Sequence, residues 1–132
     1  MSDYFRTQPP VTLFNNVTLT GAYTGNQRTL DVGGMTKLSL DISYTMGATE
    51  TANVLNFKLE HSPDEGLNWY SLVIDSTGAT SVITDRVWQY TGTGKFNIIL
   101  DIAYKRIRMS MLETGVATNA GTATVVAMPS GL

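Results

Sequence analysis

Side chains that could carry out acid–base, nucleophilic or metal chemistry are few in this sequence. His61 is the only histidine and cysteine is absent, so neither a thiol nucleophile nor a zinc–thiolate site can form. A Ser-His-Asp triad would require His61 to lie beside a serine and a carboxylate, yet it ends a predicted strand just before a tight turn. We therefore expect His61 to hydrogen-bond the turn. We predict a non-enzymatic protein with no catalytic residue, metal or cofactor.

The carboxylates stand near predicted turns, as Asp64, Glu65, Asp75 and Asp85 do. Calcium takes roughly six to eight oxygen ligands, usually from a dense run of Asp and Asn, and the chain has no such run. Asp64 is interpreted as a turn residue whose side chain bonds nearby backbone. The only candidate phosphate loop, residues 92–95 (Gly-Thr-Gly-Lys), is short and opens no helix, so it is predicted to be a hairpin turn.

The composition limits what the rest of the chain can be. It has 132 residues, a formal net charge of −2 and 15% charged residues, against about 25% in soluble domains. The length fits one domain, and no basic excess favours nucleic acid. The start of the chain lacks the pattern of a signal peptide, and no run approaches the ~18 apolar residues of a membrane helix. The low charge fits either Thr, Ser and Asn on exposed sheet faces or a surface covered by other subunits.

Apolar and polar residues alternate along most of the chain with the period of a β-strand. The alternating runs are residues 17–20, 37–44, 55–61, 70–74, 83–88, 96–102, 106–111 and 122–128. The apolar positions predicted to form the core are Leu38, Leu40, Ile42, Leu55, Phe57, Leu59, Leu72, Ile98, Leu100, Ile107 and Met109. The sequence predicts an all-β protein, an antiparallel β-sandwich or jelly roll of about eight or nine short strands. It occupies residues 11–132 and contains no helix longer than two turns.

Turn residues separate these runs. Pro63 pre-sets its φ and Gly66 can adopt a positive φ, so the strands that flank residues 62–66 should form a hairpin. Two longer segments, residues 46–53 and 114–121, are predicted to be loops. Because loops on a rigid sandwich carry binding, they are candidate contact regions.

Two aromatic pairs are candidates for a surface that binds a partner. Trp69 and Tyr70 are adjacent, so they should face opposite sides of a strand, with one of them in the core. Trp88 and Tyr90 are two residues apart and should share a face. Three interpretations stay open: packing in the core or at a strand edge, a protein interface, and a carbohydrate platform.

Arginines and an N-terminal arm supply the other candidate contacts. Arg106 and Arg108 share one face of a strand, where they can pair with carboxylates of a neighbouring strand or of another subunit. Residues 1–10 are predicted to form an extended arm, because its two prolines favour PPII and block sheet pairing. The arm is expected to pack on its own sandwich or on another subunit. Its candidate contact residues are Tyr4, Phe5, Arg6, Pro9 and Pro10.

Residues 57–72 resemble a hairpin of small structural proteins of tailed bacteriophages. That hairpin has a strand ending in Glu-x-Ser, a Pro-Asp-Gly turn and a strand beginning Trp-Tyr, and here Glu65 lengthens the turn by one residue. Residues 104–110 resemble a strand with an Arg-x-Ser pattern. Residues 121–125 are similar to a last strand of the same kind, so the resemblance covers residues 36–128.

The resemblance implies a virion protein of β-sandwich type with no catalytic residues to carry over. It implies a capsid decoration or cement protein that binds the major capsid protein or other virion subunits and stabilises the phage head lattice. By analogy it implies a homo-oligomer, with a trimer favoured, and a place in the virion, which is assembled in the host cytoplasm. A neck or tail component and a carbohydrate- or receptor-binding module are the alternatives.

Overall fold

The computed structural model describes residues 6–7, 9–47, 52–76, 82–102, 105–115 and 119–131. Within these ranges the chain forms strands and one 3-10 turn at Tyr23–Gly25. The strands are β1 (Arg6–Thr7), β2 (Val11–Thr18), β3 (Gln27–Asp31), β4 (Lys37–Thr45), β5 (Val54–Ser62), β6 (Tyr70–Ser71), β7 (Val73–Ser76), β8 (Val82–Asp85), β9 (Val87–Thr91), β10 (Gly94–Asp101), β11 (Arg106–Thr114) and β12 (Thr122–Gly131). The prediction of an all-β fold without long helices is confirmed.

The strands form two antiparallel sheets of five strands and a separate two-stranded ribbon. Sheet I has the order β1-β12-β4-β10, and β2 also pairs with β12. Because β1 pairs with the last residues of β12 and β2 with the earlier ones, β1 and β2 share one edge. Sheet II has the order β3-β11-β5-β6, and β9 pairs with β5 beside β6. The ribbon of β7 and β8 lies between β6 and β9 in the chain.

The eight strands that build the two layers have the connectivity of a jelly roll. The first and last of them, β2 and β12, pair with each other, and so do the second and seventh, β3 and β11. The third and sixth, β4 and β10, pair in the same nested way, as do the fourth and fifth, β5 and β9. This nesting defines a jelly roll rather than a simpler sandwich. Alternation alone left that choice open, because it assigns a residue to a face and not to a partner strand.

The core lies between the sheets and is built largely from the predicted residues. The predicted core residues that are buried are Leu38, Leu40, Ile42, Leu55, Phe57, Leu59, Ile107 and Met109. Leu72, Ile98 and Leu100 are only half-buried and pack against this core. Ile98 and Leu100 are only half-buried because they lie on β10, which forms an edge of sheet I. Ten further buried apolar residues among those that the structure describes belong to the core and were not in the predicted set, including Phe14, Tyr44 and Met111.

Two sequence predictions about connections are wrong. Residues 92–95 do not close a hairpin, because β9 belongs to sheet II and β10 to sheet I, so this segment crosses between the sheets. The run 83–88 is not one strand, since Arg86 interrupts it and donates its backbone N–H to the Leu72 carbonyl over 2.8 Å. Turn chemistry marks where a strand ends, whereas the pairing of the strands on each side depends on the whole fold.

Replacing Phe57 by alanine tests this core. The ring is fully buried and stacks on Trp88, with centroids 5.4 Å apart, so truncation should lower the free energy of unfolding by about 3–5 kcal/mol. Urea denaturation measures the change. Leu67→Ala is the control, because Leu67 is 83% exposed and should change stability by less than about 0.5 kcal/mol. Equal effects of the two substitutions would contradict the assigned core.

Candidate interaction surface

The connection between β5 and β6 is the predicted hairpin, and a side-chain network fixes its turn. Pairing of His61 with Tyr70 aligns the two strands. Asp64 accepts hydrogen bonds from the Asn68 backbone N–H at 2.9 Å and from the Ser62 hydroxyl at 2.8 Å. The hydrogen bonds from Asn68, and then the one from Ser62, lower the pKa of Asp64. The interpretation of Asp64 as a turn residue is confirmed.

Backbone conformation explains why this turn tolerates its extra residue. Gly66 has a φ of +92°, as its position predicts, and Glu65 also adopts a positive φ of 60°. A non-glycine residue rarely adopts this region. Lys105 holds the Glu65 side chain with an Nζ–Oε1 distance of 2.9 Å, and Lys105, followed by Arg106, lowers the pKa of Glu65.

Arg108, Glu60 and Trp69 form a compact cluster on the outer face of sheet II. Arg108 and Glu60 are directly opposite each other on β11 and β5. The guanidinium donates Nε–H to Oε1 and an Nη2–H to Oε2 of Glu60, each over 3.0 Å, and it lies 4.6 Å from the centroid of the Trp69 ring. The bidentate geometry makes this a strong ion pair. For Arg108, the pairing across a neighbouring strand is confirmed.

Arg106 precedes Arg108 by two residues on β11 and contacts the turn of the hairpin. It donates a hydrogen bond to the backbone carbonyl of Glu65 over 3.1 Å. Both arginines therefore hold the hairpin against β11. The sequence predicted Trp69, Arg106 and Arg108 as separate candidate contact residues. In the structure the three side chains lie together beside the hairpin.

The expectation that either Trp69 or Tyr70 lies in the core is wrong. Trp69 is half-buried beneath Arg108, and Tyr70 is exposed with its ring 5.8 Å from that of His61. The expectation assumed that both residues belong to one regular strand. Strand β6 begins only at Tyr70 and has two residues, so Trp69 belongs to the turn and the alternation of faces does not apply to it.

Trp88 and Tyr90 share a face, as predicted, and that face is directed at the core. Trp88 stacks on Phe57, and the Arg86 guanidinium lies 4.5 Å from its ring centroid. Tyr90 stacks on Phe96 at 4.2 Å. Both rings are half-buried. Of the three interpretations, the stacking of these rings on Phe57 and Phe96 supports packing at the strand edge.

The two predicted contact loops meet at one end of the jelly roll. Gly115 has a φ of +129° and lies so close to Asn53 that a side chain at this position would collide with it. Beneath the loops, Glu113 is 7% exposed. It accepts hydrogen bonds from the Tyr44 hydroxyl and, at 2.9 Å, from the Gly121 backbone N–H. The carboxylate of Glu113 thus connects β11, β4 and the second loop.

Sequence reasoning missed Glu113, although a signal was present. It follows Ile107, Met109 and Met111 at the inward positions of β11, so a carboxylate stands where the alternation requires an apolar residue. A buried carboxylate needs partners. Its donor, Tyr44, is the last residue of the alternating run 37–44, but the pairing of the two could not be read from residues so far apart in the chain.

Replacing Tyr44 by phenylalanine tests this buried contact. The carboxylate loses a donor, so the free energy of unfolding near neutral pH should fall by about 1–3 kcal/mol. Burial, and then Glu113, raise the pKa of Tyr44, so the native state favours the protonated phenol more than the unfolded chain does. This contribution is complete below the unfolded value of about 10 and is lost as the pH rises above it.

Denaturation over a series of pH values measures both effects. Above about pH 10 the stability of the Tyr44→Phe variant should decline less steeply than that of the wild-type protein. Tyr70→Phe is the matched control, because it removes a hydroxyl from an exposed tyrosine and should change the stability near neutral pH by less than about 0.5 kcal/mol. A Tyr44→Phe variant with the wild-type slope would show that the contact with Glu113 is not formed.

The described part of the predicted arm packs on its own sandwich. Arg6 and Thr7 form β1 and pair with Gly131 and Ser130 of β12. Pro9 and Pro10 are exposed and separate β1 from β2 along the same edge. Tyr4 and Phe5 lie outside the described residues. The described residues on both sides of residue 10 therefore lie along one edge of sheet I.

The opposite edge of sheet I is open and carries one exposed apolar side chain. Strand β10 pairs with β4 and, among the described residues, with no other strand. Ile99 points outward on it and is 65% exposed. A cleft of about 610 Å³ separates the end of β10 from the base of the ribbon, and Leu72, Val73 and Arg86 line its other wall. Val73, Ile83 and Val87 expose further apolar surface on β7, β8 and β9.

The alternation pattern contained a sign of this edge that sequence reasoning passed over. Ile98, Ile99 and Leu100 are three consecutive apolar residues, so one of them has to face outward. Exposed apolar residues that lie together mark interaction sites more often than isolated ones do. The open edge of β10 is therefore a candidate contact surface in addition to those that the sequence predicted.

The described residues hold no group of three or more histidine or carboxylate side chains placed to bind a metal ion. His61 is half-buried near the end of β5 and lines the same cleft. Over the described ranges no helix has the length and apolar character needed to cross a membrane.

Comparison with known proteins gives a structural relationship and no relationship in sequence. No protein family matches the chain, and no curated protein does. A chain from a solved structure of infectious bursal disease virus, Gx strain, is similar with a TM-score of 0.50 and 10% sequence identity. The alignment covers 98% of this chain and 33% of the viral chain, so this protein spans about a third of that neighbour's length. At this identity the likeness shows a common fold alone.

Proposed function

We propose that this protein is a structural component of a virion. The observation that carries the proposal is the jelly-roll fold, which this chain shares over nearly its whole length with a viral chain. Fold alone does not fix function, and two further features support the same role. The hairpin and the strand over residues 104–110 resemble those of tailed-phage virion proteins, and large apolar side chains are exposed on β7, β8, β9 and β10.

Within the virion we propose the role of a decoration or cement protein on the head lattice. The partner is the major capsid protein or a neighbouring virion subunit. The low charge of the chain supports this role, because surfaces that are covered by other subunits are depleted in Lys, Glu and Asp. Repetition of a small protein over a lattice adds weak contacts through effective concentration, so no single contact needs to be strong.

The direct test is the location of the chain in purified particles. Antibody labelling and cryo-electron microscopy of the virion should find it on the head, and purified chain added to particles that lack it should cosediment with heads. Labelling of the neck or tail would show that the chain is a neck or tail component and not a decoration protein of the head. Absence of the chain from particles, or specific retention on a glycan array, would overturn the proposal.

Deleting residues 2–5 tests the contribution of the arm to this binding. The deletion removes Tyr4 and Phe5 and leaves β1 paired with β12, so the melting temperature should stay unchanged while cosedimentation with heads is lost. Aromatic residues bury a large area at low entropic cost, which is why their loss should be decisive. Thr12→Ala, on the exposed face of β2, is the control and should bind normally. If the shortened chain still binds heads at full occupancy, the contact with the head is made by the loops or by β10 and not by residues 2–5.

A further inference from the structure

The open edge of β10 presents a defined set of backbone groups. Alternate residues of an antiparallel strand direct their N–H and C=O groups toward one neighbour, and the residues between them direct theirs to the other side. Ile102, directly after β10, donates its N–H over 2.8 Å to the carbonyl of Thr36, directly before β4. Even-numbered positions of β10 therefore face β4. The residues whose N–H and C=O groups face the open edge are Lys95, Asn97, Ile99 and Asp101.

These same residues make β10 complementary to itself. Lys95 and Asp101 lie three residues before and three residues after Ile98, on the outer face of the sheet. If a second β10 aligns antiparallel with Ile98 opposite Ile98, Lys95 of each copy faces Asp101 of the other. Asp101 also accepts a hydrogen bond from Lys37 of β4 over 2.6 Å, and its carboxylate has lone pairs for a second donor. Opposite charges directly across a strand pair stabilise it, and like charges destabilise it, so the charges select one partner and one register.

The backbone and the charges require the same register. With Ile98 opposite Ile98, Lys95 faces Asp101 and Asn97 faces Ile99, so every residue that directs its N–H and C=O groups outward meets another of the same kind. Each such pair exchanges two hydrogen bonds, which gives about eight across the edge. A shift by one residue would leave these groups unmatched.

The same pairing covers the apolar surface that the single chain leaves exposed. Ile99, at 65% exposure, would lie beside Asn97 of the second copy. Ile98 and Leu100 are half-buried only because β10 is an edge strand, and a neighbouring strand would complete their burial. An unpaired apolar edge strand is an aggregation hazard that proteins normally block, and a matched second copy removes that hazard.

We propose that two copies of this chain associate through β10 about a two-fold axis at Ile98, so that sheet I continues from one copy into the other. The inference goes beyond the virion role and does not depend on it, since it concerns the purified chain in solution. It also differs from the trimer that the phage resemblance implies, because a two-fold edge pairing closes with two subunits.

Reversal of the charges tests the partner and the register together. Lys95→Glu places a carboxylate opposite Asp101 of the second copy, and Asp101→Lys places an ammonium group opposite Lys95, so each variant alone opposes like charges twice. Each should dimerise about tenfold more weakly than the wild-type chain in sedimentation velocity over a concentration series. An equimolar mixture of the two variants should regain the affinity, because every pair across the edge is then of opposite sign.

The controls separate this mode of association from others. Arg28→Glu makes the same charge change as Lys95→Glu on β3, which belongs to the other sheet, and this variant should dimerise as the wild-type chain does. Far-UV circular dichroism spectra that match the wild-type spectrum at the temperature of the experiment exclude unfolding as the cause. A wild-type chain that stays monomeric at its highest soluble concentration overturns the proposal, and so does a mixture that associates no better than its components.

Discussion

Strand β4 is paired on both sides over Lys37–Tyr44, and the rest of the fold depends on this arrangement. Its register with β12 and with β10 is unbroken over the strand. Every inward side chain of the three strands therefore falls into rows that cross the sheet. One such row consists of Ile98, Leu40 and Ala127, whose side chains pack into the core from sheet I. Because the pleat is rigid, the position of β4 also decides which groups of β10 remain unpaired.

The same strand explains why a polar group can exist inside the protein. Tyr44 stands at the end of the inward row, where sheet I approaches the loop end of sheet II. Its hydroxyl reaches Glu113 there, and Gly121 occupies the remaining side of the carboxylate. A satisfied network of this kind is compatible with burial, whereas loss of one donor leaves an acceptor unpaired at a higher cost than the bond itself contributes.

The sequence predicted the features that depend on local rules. The period of two identified the inward residues of β4, β5 and β11, and Pro63 with Gly66 identified the hairpin. Pairing between distant strands was beyond those rules, so the link at 92–95 was mistaken for a hairpin and the β3 strand was missed.

The cluster of Arg108 on Trp69 depends on how the hairpin lies over β11, which is a tertiary property. The half-burial of Ile98 also depends on tertiary structure, because no local sequence pattern predicts that a strand will lie at the edge of a sheet.

The nested pairing has a consequence for how the chain acquires its structure. Strand β12 occupies the interior of sheet I, between β4 and the edge formed by β1 and β2, yet the ribosome makes it after every other described strand. Until it emerges, β2 has no partner strand and one edge of β4 is unpaired. Sheet I therefore cannot be completed before β12 is synthesised, and contacts between strands so distant in sequence form slowly. A chain interrupted before residue 122 would retain exposed strand edges and be prone to aggregation rather than fold partially.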